Sequence, residues 1–378
     1  MLFKEVIGQH EIKQRLLHTV NDGRISHAQL FLGPEGSGNL SLALAYAQYV
    51  MCTNKQADDA CGECLACIKN NKMAHPDMHF VFPVATTKDI TSKPICANFL
   101  PEFRVEILRN PYLSLFEWLE SLGIENKQGF IGTEESGEIL KKLNLKTYES
   151  EFKIMIIWMP EKMNNTSGNK LLKILEEPPE KTLFLLVAES QDAMLRTILS
   201  RTQLIKITKI NDADLQQHLI SKHNVSAAIA EQTAHLADGN YNEALKLLQT
   251  EETESFYMET FRKWMLLCYN NQIKDTIQWV DAIASVGREQ QKKFLHYAMR
   301  IIREGLLLHL GNASLVKLTE DEKKFVSGFS KFTRKDNVLH LFEVLNKAYN
   351  EIERNAHPKI LFLDLSFTLF GLVKPAKQ

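Results

Sequence analysis

The stretch FLGPEGSGNLS, Phe31 to Ser41, has the punctuation of a phosphate-binding loop without its chemistry. A P-loop reads G-x-x-x-x-G-K-[ST]: backbone amides after the glycines cradle phosphates, the lysine reaches the β and γ phosphates, and the hydroxyl holds Mg²⁺. Gly33 and Gly38 keep that spacing, but Asn39 and Leu40 follow. The frame of a nucleotide site is present and its charge is absent. The plain alternative is that these glycines only mark a turn between a strand and a helix.

Outward from the loop, the chain alternates between two periodicities. A helix over about 9–20, with Ile12, Leu16, Leu17 and Val20 on one face, precedes the strand AQLFLG, and a second helix runs from about 39 to 51. HFVFPV reads as a strand, EILKKLNLK as an amphipathic helix, KIMIIW as a strand, GNKLLKILEE as a helix stopped by Pro178-Pro179, and TLFLLVA as another strand. Continuous apolar strands between helices predict a parallel sheet covered on both faces, with ligands at the carboxyl ends of its strands. The quasi P-loop sits at such an end. A shorter helical stretch follows at about 211–250, with ADGNYNEALKLL as its clearest turn and helix. From about 253 the pattern is helical only, and Phe261, Trp264 and Met265, then Ile273, Ile277 and Val280, then Leu341, Phe342, Leu345 and Ala348 are expected to form the core of a separate bundle.

Composition fits a globular protein of two or three domains: 378 residues, 44% apolar, 24% charged, with a formal net charge of −1. No overall field draws such a chain to nucleic acid, so any such contact must be a local patch. The apolar runs at 154–159 and 183–188 are far shorter than the roughly 18 residues that cross a membrane, and the charged amino terminus lacks a signal-peptide core. The expected location is the cytoplasm.

Four of six cysteines cluster. Cys52, Cys61, Cys64 and Cys67 read C-x8-C-x2-C-x2-C in a polar segment. Four thiolates from one short loop build a closed tetrahedral Zn²⁺ site, whose metal offsets the cost of ordering the segment. Gly62 suits the tight knuckle such a turn needs. Free thiols are the bland alternative. An iron–sulfur cluster is the sharper one, but its bacterial pattern wants a cysteine where Asn71 stands. Cys96 and Cys268 read as buried small hydrophobes. His75 and His79 are spare ligand candidates, although His75-Pro76-Asp77 reads more simply as a turn.

Taken in order, SHAQLFLGPEGSGNLSLALAYA, the cysteine loop followed by HPD, NKLLKILEEPPEKTLFLLVAE and TILSRTQLIKI resemble the bacterial clamp-loader subunits of the AAA+ class, closely over roughly residues 1–250. The terminal bundle is similar to that family's collar only in position and helicity. The resemblance implies an AAA+ domain at 1–208 with a zinc loop at 52–67, a lid at 209–250 and a collar at 253–378. It implies ATPase (tau/gamma) and delta subunits as partners in a hetero-pentamer that places a sliding clamp on primer-template DNA. In the family's active ATPases, the strand matching KIMII ends in an Asp-Glu pair that supports Mg²⁺. Here Trp158, Met159 and Pro160 follow, and the first carboxylate is Glu161. The lid arginine that touches the γ phosphate is replaced by Asn242. Such erosion marks the family's non-hydrolysing stator, for which no ATP is expected, although the remaining amides leave weak nucleotide binding open.

One charged part survives. In the family, the arginine of the Ser-Arg pair in ILSRTQ reaches into the neighbouring subunit's ATP site, which assigns Arg201 as an arginine finger acting in trans, with Arg196 the weaker candidate. Spacing alone favours a surface salt bridge to a nearby glutamate. Two rival functions are an active motor of the tau/gamma type, opposed by Asn39 and Leu40, and a zinc-dependent nucleic-acid adaptor, opposed by Asp58, Asp59 and Glu63 standing beside Lys55, Lys69 and Lys72 where Lys, Arg and aromatics are expected. Residues 84–130 exceed what compact family members carry and are expected to form a helical insertion packing Tyr112, Phe116 and Trp118 against the sheet domain, with a partner surface as the alternative.

Overall fold

A computed structural model describes residues 1–249, 251–310, 316, 318, 320–329 and 337–373. The chain forms two compact units, Met1–Leu245 and Lys246–Gln378.

The first unit opens with α1 (His10–Asn21), β1 (Ala28–Leu32), α2 (Asn39–Met51), α3 (Leu65–Asn71) and β2 (Met78–Val81). It continues with α4 (Leu100–Arg109), α5 (Leu115–Ser121), α6 (Thr133–Asn144), β3 (Lys153–Trp158), α7 (Asn165–Glu176), β4 (Thr182–Ala188), α8 (Arg196–Leu199) and β5 (Gln203–Lys206). The five strands run parallel in the order β2-β3-β4-β1-β5. Every residue of β3 and β4 is buried, as their unbroken apolar runs predict for central strands covered on both faces. Because β1 lies between β4 and β5, the loop leaving β1 is flanked by the ends of both neighbours.

β2 is shorter than HFVFPV suggested. It ends at Val81 because Phe82 N–H turns to the sulfur of Cys96 (3.2 Å) and Pro83 has no donor. The insertion then packs a cluster of aromatics on this edge. Phe82 stacks on Phe103 at 3.8 Å, and fully buried Trp118 meets Phe82 edge-on while its indole N–H donates to Pro83 O (2.8 Å). Phe116 is half-buried.

The His75-Pro76-Asp77 turn is fastened by charge. The Asp77 carboxylate accepts the backbone N–H groups of Tyr148 (2.6 Å), Glu149 (2.9 Å) and Ser150 (2.8 Å). Burial pushes its pKa up, but these three bonds outweigh burial and hold it below the ordinary carboxylate value. The folded pKa is depressed, so this contribution is complete above the unfolded pKa near 4 and is lost as pH falls through the folded value. Asp77→Ala is expected to cost about 3 kcal/mol in denaturant melts at pH 7, with the difference from wild type shrinking in acid.

The first unit closes with α9 (Asp212–His223), α10 (Ala227–Ala237) and α11 (Tyr241–Gln249), within which the division between units falls. The second unit is helical: α12 (Glu251–Asn270), α13 (Ile273–Ser285), α14 (Arg288–His309), α15 (Glu320–Phe329), α16 (Val338–Glu353) and α17 (Pro358–Leu372). Its core centres on Trp264 and Trp279, stacked at 4.7 Å, with Phe294 and Phe362 against both. Phe261, Met265, Val280, Leu341, Leu345 and Ala348 are buried as expected, but Ile273, Ile277 and Phe342 are 52%, 46% and 41% exposed and do not belong to the core. Periodicity finds an apolar face without distinguishing what covers it. No helix among the described residues is long and apolar enough to cross a membrane.

Candidate nucleotide loop, metal centre and arginine

The quasi P-loop begins where Gly33 N–H donates to Ala188 O (3.2 Å) at the end of β4. Gly36 and Gly38 take left-handed φ values of 70° and 91°, and Gly38 caps the start of α2. Asn39 then turns inward. Its side-chain amide donates to Gly33 O (2.9 Å) and to Ala188 O (3.2 Å), tying the ends of β1 and β4 together. Leu40 is buried, and Ser41 donates to Pro111 O (2.8 Å). Where a P-loop has a cation and an Mg²⁺ ligand, this loop has an internal tie and an apolar side chain.

The chain also covers the loop from outside. Tyr112 lies against Gly38 so closely that a Cβ there would meet its ring at 3.0 Å, and its hydroxyl accepts Ile7 N–H (2.7 Å). Tyr241 packs its ring against Tyr112 at 4.8 Å while its N–H donates to Gly36 O (3.1 Å). Asn242, which stands where a sensor arginine was expected, is buried; it donates to Tyr112 O (2.6 Å) and accepts from Asn110 Nδ2 (3.0 Å). Gln9 donates to Ser37 O (3.2 Å) and Thr208 O (2.6 Å), tying the loop to the segment after β5, while Pro34 stays exposed. Gly33, Gly36, Ser37, Gly38, Asn39 and Leu40 are all buried in consequence. Burial pushes the Tyr112 phenol well up, so it remains a neutral hydroxyl. The sequence signals only parts of this cover, Asn242 in place of an arginine and the excess length of the insertion, and not that they meet over the loop.

Glu161, the first carboxylate after β3, has a structural partner set. It accepts the N–H groups of Glu189 (2.7 Å) and Ser190 (3.4 Å) just beyond β4, and burial raises its pKa. Arg201 follows the single turn of α8 and is held by the chain itself. Its Nε donates to Glu176 Oε1 (2.7 Å), its Nη2 reaches the same oxygen, and its Nη1 donates to Thr197 O (2.9 Å) and Ser200 Oγ (3.2 Å). Arg196 is exposed at the start of α8.

The four clustered cysteines converge. Their sulfurs all lie within 4.8 Å of one another, with Cys52–Cys61 at 3.6 Å, Cys61–Cys67 at 3.9 Å and Cys52–Cys64 at 4.0 Å. Metal–sulfur bonds of about 2.3 Å in a tetrahedron give sulfur–sulfur edges of about 3.8 Å. The arrangement therefore fits a tetrahedral metal ion. Gly62 takes φ 78° in the knuckle, and Cys61 and Cys64 N–H groups point at the sulfurs of Cys52 (3.4 Å) and Cys61 (3.3 Å). Neither His75 nor His79 belongs to this group: His75 accepts Asp77 N–H at Nδ1 (3.1 Å), with Glu149 3.4 Å from its other nitrogen. Cys96 and Cys268 are buried free thiols elsewhere. Asp59, two residues before Cys61, accepts the N–H groups of Phe3 and Lys4 (both 3.0 Å), so the cysteine loop anchors the amino-terminal segment.

Residues 8–211, more than half of the chain, match the family model described as DNA polymerase III, delta subunit. The chain belongs to the DNA polymerase III clamp-loader family. Among its relatives, DNA polymerase III subunit delta' of Bacillus subtilis is 25% identical, over 80% of this chain and 79% of that protein. Subunit delta' of Escherichia coli is 22% identical over 81% of this chain and 77% of its own length. Subunit tau of Bacillus subtilis is 23% identical over 95% of this chain, which spans only 60% of that longer protein. Clamp-loader subunits of both names therefore lie at similar distance, and the difference between them has to be sought in the loop.

Proposed function

We propose that the chain is the delta'-type stator of its clamp loader, a subunit that neither binds nor hydrolyses ATP and lends Arg201 to a neighbour that does. The observation that carries this reading is the phosphate loop, tied from within by Asn39 and covered by Tyr112, Tyr241 and Asn242. A nucleotide would have to displace these groups and would then find neither a lysine nor a paired carboxylate for Mg²⁺. Structural Zn²⁺ is the proposed occupant of the four-cysteine site, since in the reducing cytoplasm thiolates of this geometry bind metal rather than form disulfides.

In this reading residues 1–208 form the AAA+ domain, 209–250 the lid and 253–378 the collar through which the pentamer of tau/gamma and delta subunits holds together. Leu266, Ile273, Ile277, Leu339, Phe342 and Ile360 support the collar assignment, being large apolar side chains 41–69% exposed. The sliding clamp and primer-template DNA are met through the complex.

The tau/gamma alternative has one observation in its favour, the tau relative that spans almost the whole chain. A turnover assay separates the two. The purified chain is expected to release no phosphate from ATP above background, and Asn39→Lys to change nothing, because Mg²⁺ would still lack its carboxylates. Turnover by a homogeneous preparation overturns the stator reading.

A further inference from the structure

Glu176 is the last residue of α7, followed by Glu177 and then Pro178-Pro179. A helix ends in unpaired carbonyls that carry a partial negative charge, and two carboxylates placed there repel it and each other. Such an end attracts a cation, and Arg201 is the cation that occupies it. The contact is one-sided, because Nε and Nη2 of Arg201 both converge on Oε1 of Glu176 rather than forming a fork over two oxygens. Both partners remain in solvent, with the Arg201 side chain 32% and the Glu176 side chain 48% exposed. On the other edge of the guanidinium, Thr197 O and Ser200 Oγ hold Nη1, so release from Glu176 would free Nε and Nη2 while Nη1 stays tied to its own subunit.

We infer that Glu176 is a positioning residue, a latch that holds Arg201 against its own subunit until the triphosphate of a neighbouring site competes for it. The inference rests on the reading of Arg201 as a finger acting in trans. A single half-exposed carboxylate biases a side chain by a factor of up to about five, enough to suppress premature engagement and too little to resist a polyphosphate. The latch thus biases the finger: it rests mostly on Glu176, and a multiply charged anion across the border shifts the balance.

The test uses complexes reconstituted from the full chain and its ATPase and delta partners, with the other ATP sites inactivated in the partners. Glu176→Gln keeps the size of the side chain and removes its charge. It is expected to raise ATP hydrolysis in the absence of clamp and DNA about two- to fivefold and to lower the KM for ATP at the bordering site, with kcat in the presence of clamp and primed DNA unchanged. The Glu176→Gln, Arg201→Ala double variant should match Arg201→Ala alone, since a latch acts only through what it holds. If Arg201→Ala slows hydrolysis while Glu176→Gln equals wild type, the finger stands and the latch is wrong. If Glu176→Gln is itself slower than wild type, the carboxylate supports the finger and the latch is again wrong. If Arg201→Ala equals wild type, the finger reading falls and the latch with it.

Discussion

Complexes carrying Arg201→Ala are expected to hydrolyse ATP at the site bordering this subunit about 10³-fold more slowly than wild type, and to load clamps poorly on primed DNA. The magnitude follows from what the guanidinium does. A guanidinium is permanently charged and planar, and in the proposed role it would spread over two phosphate oxygens as charge builds there. The same substitution removes only a half-exposed pair with Glu176 from the chain itself, so the thermal midpoint and pentamer assembly should change little. Total ATPase should fall only in part, because the other sites keep their own arginines. Arg201→Lys is expected to rescue poorly: an ammonium keeps the charge and loses the fork. Loading at the wild-type rate by Arg201→Ala complexes would return Arg201 to the role of a surface residue.

Spacing alone made Arg201 a salt-bridge partner, and the isolated chain does pair it with Glu176. The proposed function adds a second setting for the same side chain, and only the family resemblance suggests it. The sheet domain was legible for a different reason. β3 and β4 are buried on both faces, so their apolar runs are unbroken and their ends fall at 153–158 and 182–188 as read. α2 starts at Asn39 because Gly38 takes a conformation that other residues avoid. The cysteine spacing carried its site because all four ligands lie within one short segment.

What escaped sequence reading depends on contacts between distant parts. Tyr112 meets Ile7, 105 residues away, and Asn242, 130 residues away, and no periodicity records such a meeting. In the sequence Asn242 reads as a missing arginine, whereas its amide helps hold the cover on the loop. In the helical unit, Ile273, Ile277 and Phe342 follow the apolar pattern yet face outward, because a pattern is the same whether the chain or a partner buries it.

Loss of the proposed Zn²⁺ is the second large effect expected. The purified protein should carry about one Zn²⁺ per chain, and Cys64→Ser should lose it, since three thiolates leave the tetrahedron open and the ordering of the loop uncompensated. The response should be local. Residues 52–67 pack on a much larger sheet core, so chelation should raise amide exchange in that segment, and in residues 3–5 through Asp59, while the sheet stays protected. Metal analysis finding no zinc in protein prepared under reducing conditions would remove the metal from the account, and global unfolding on chelation would show that the loop is not a satellite of the core.

The closed phosphate loop is the centre of the account, and an equilibrium titration of the isolated chain with fluorescent ATP and Mg²⁺ tests it most directly. With Asn39 tying β1 to β4, and Tyr112, Tyr241 and Asn242 over the glycines, the expected result is no saturable binding up to millimolar nucleotide. Saturable binding in the micromolar range, competed by unlabelled ATP, would contradict it: the cover would then be a lid that opens, and the chain a nucleotide-binding subunit.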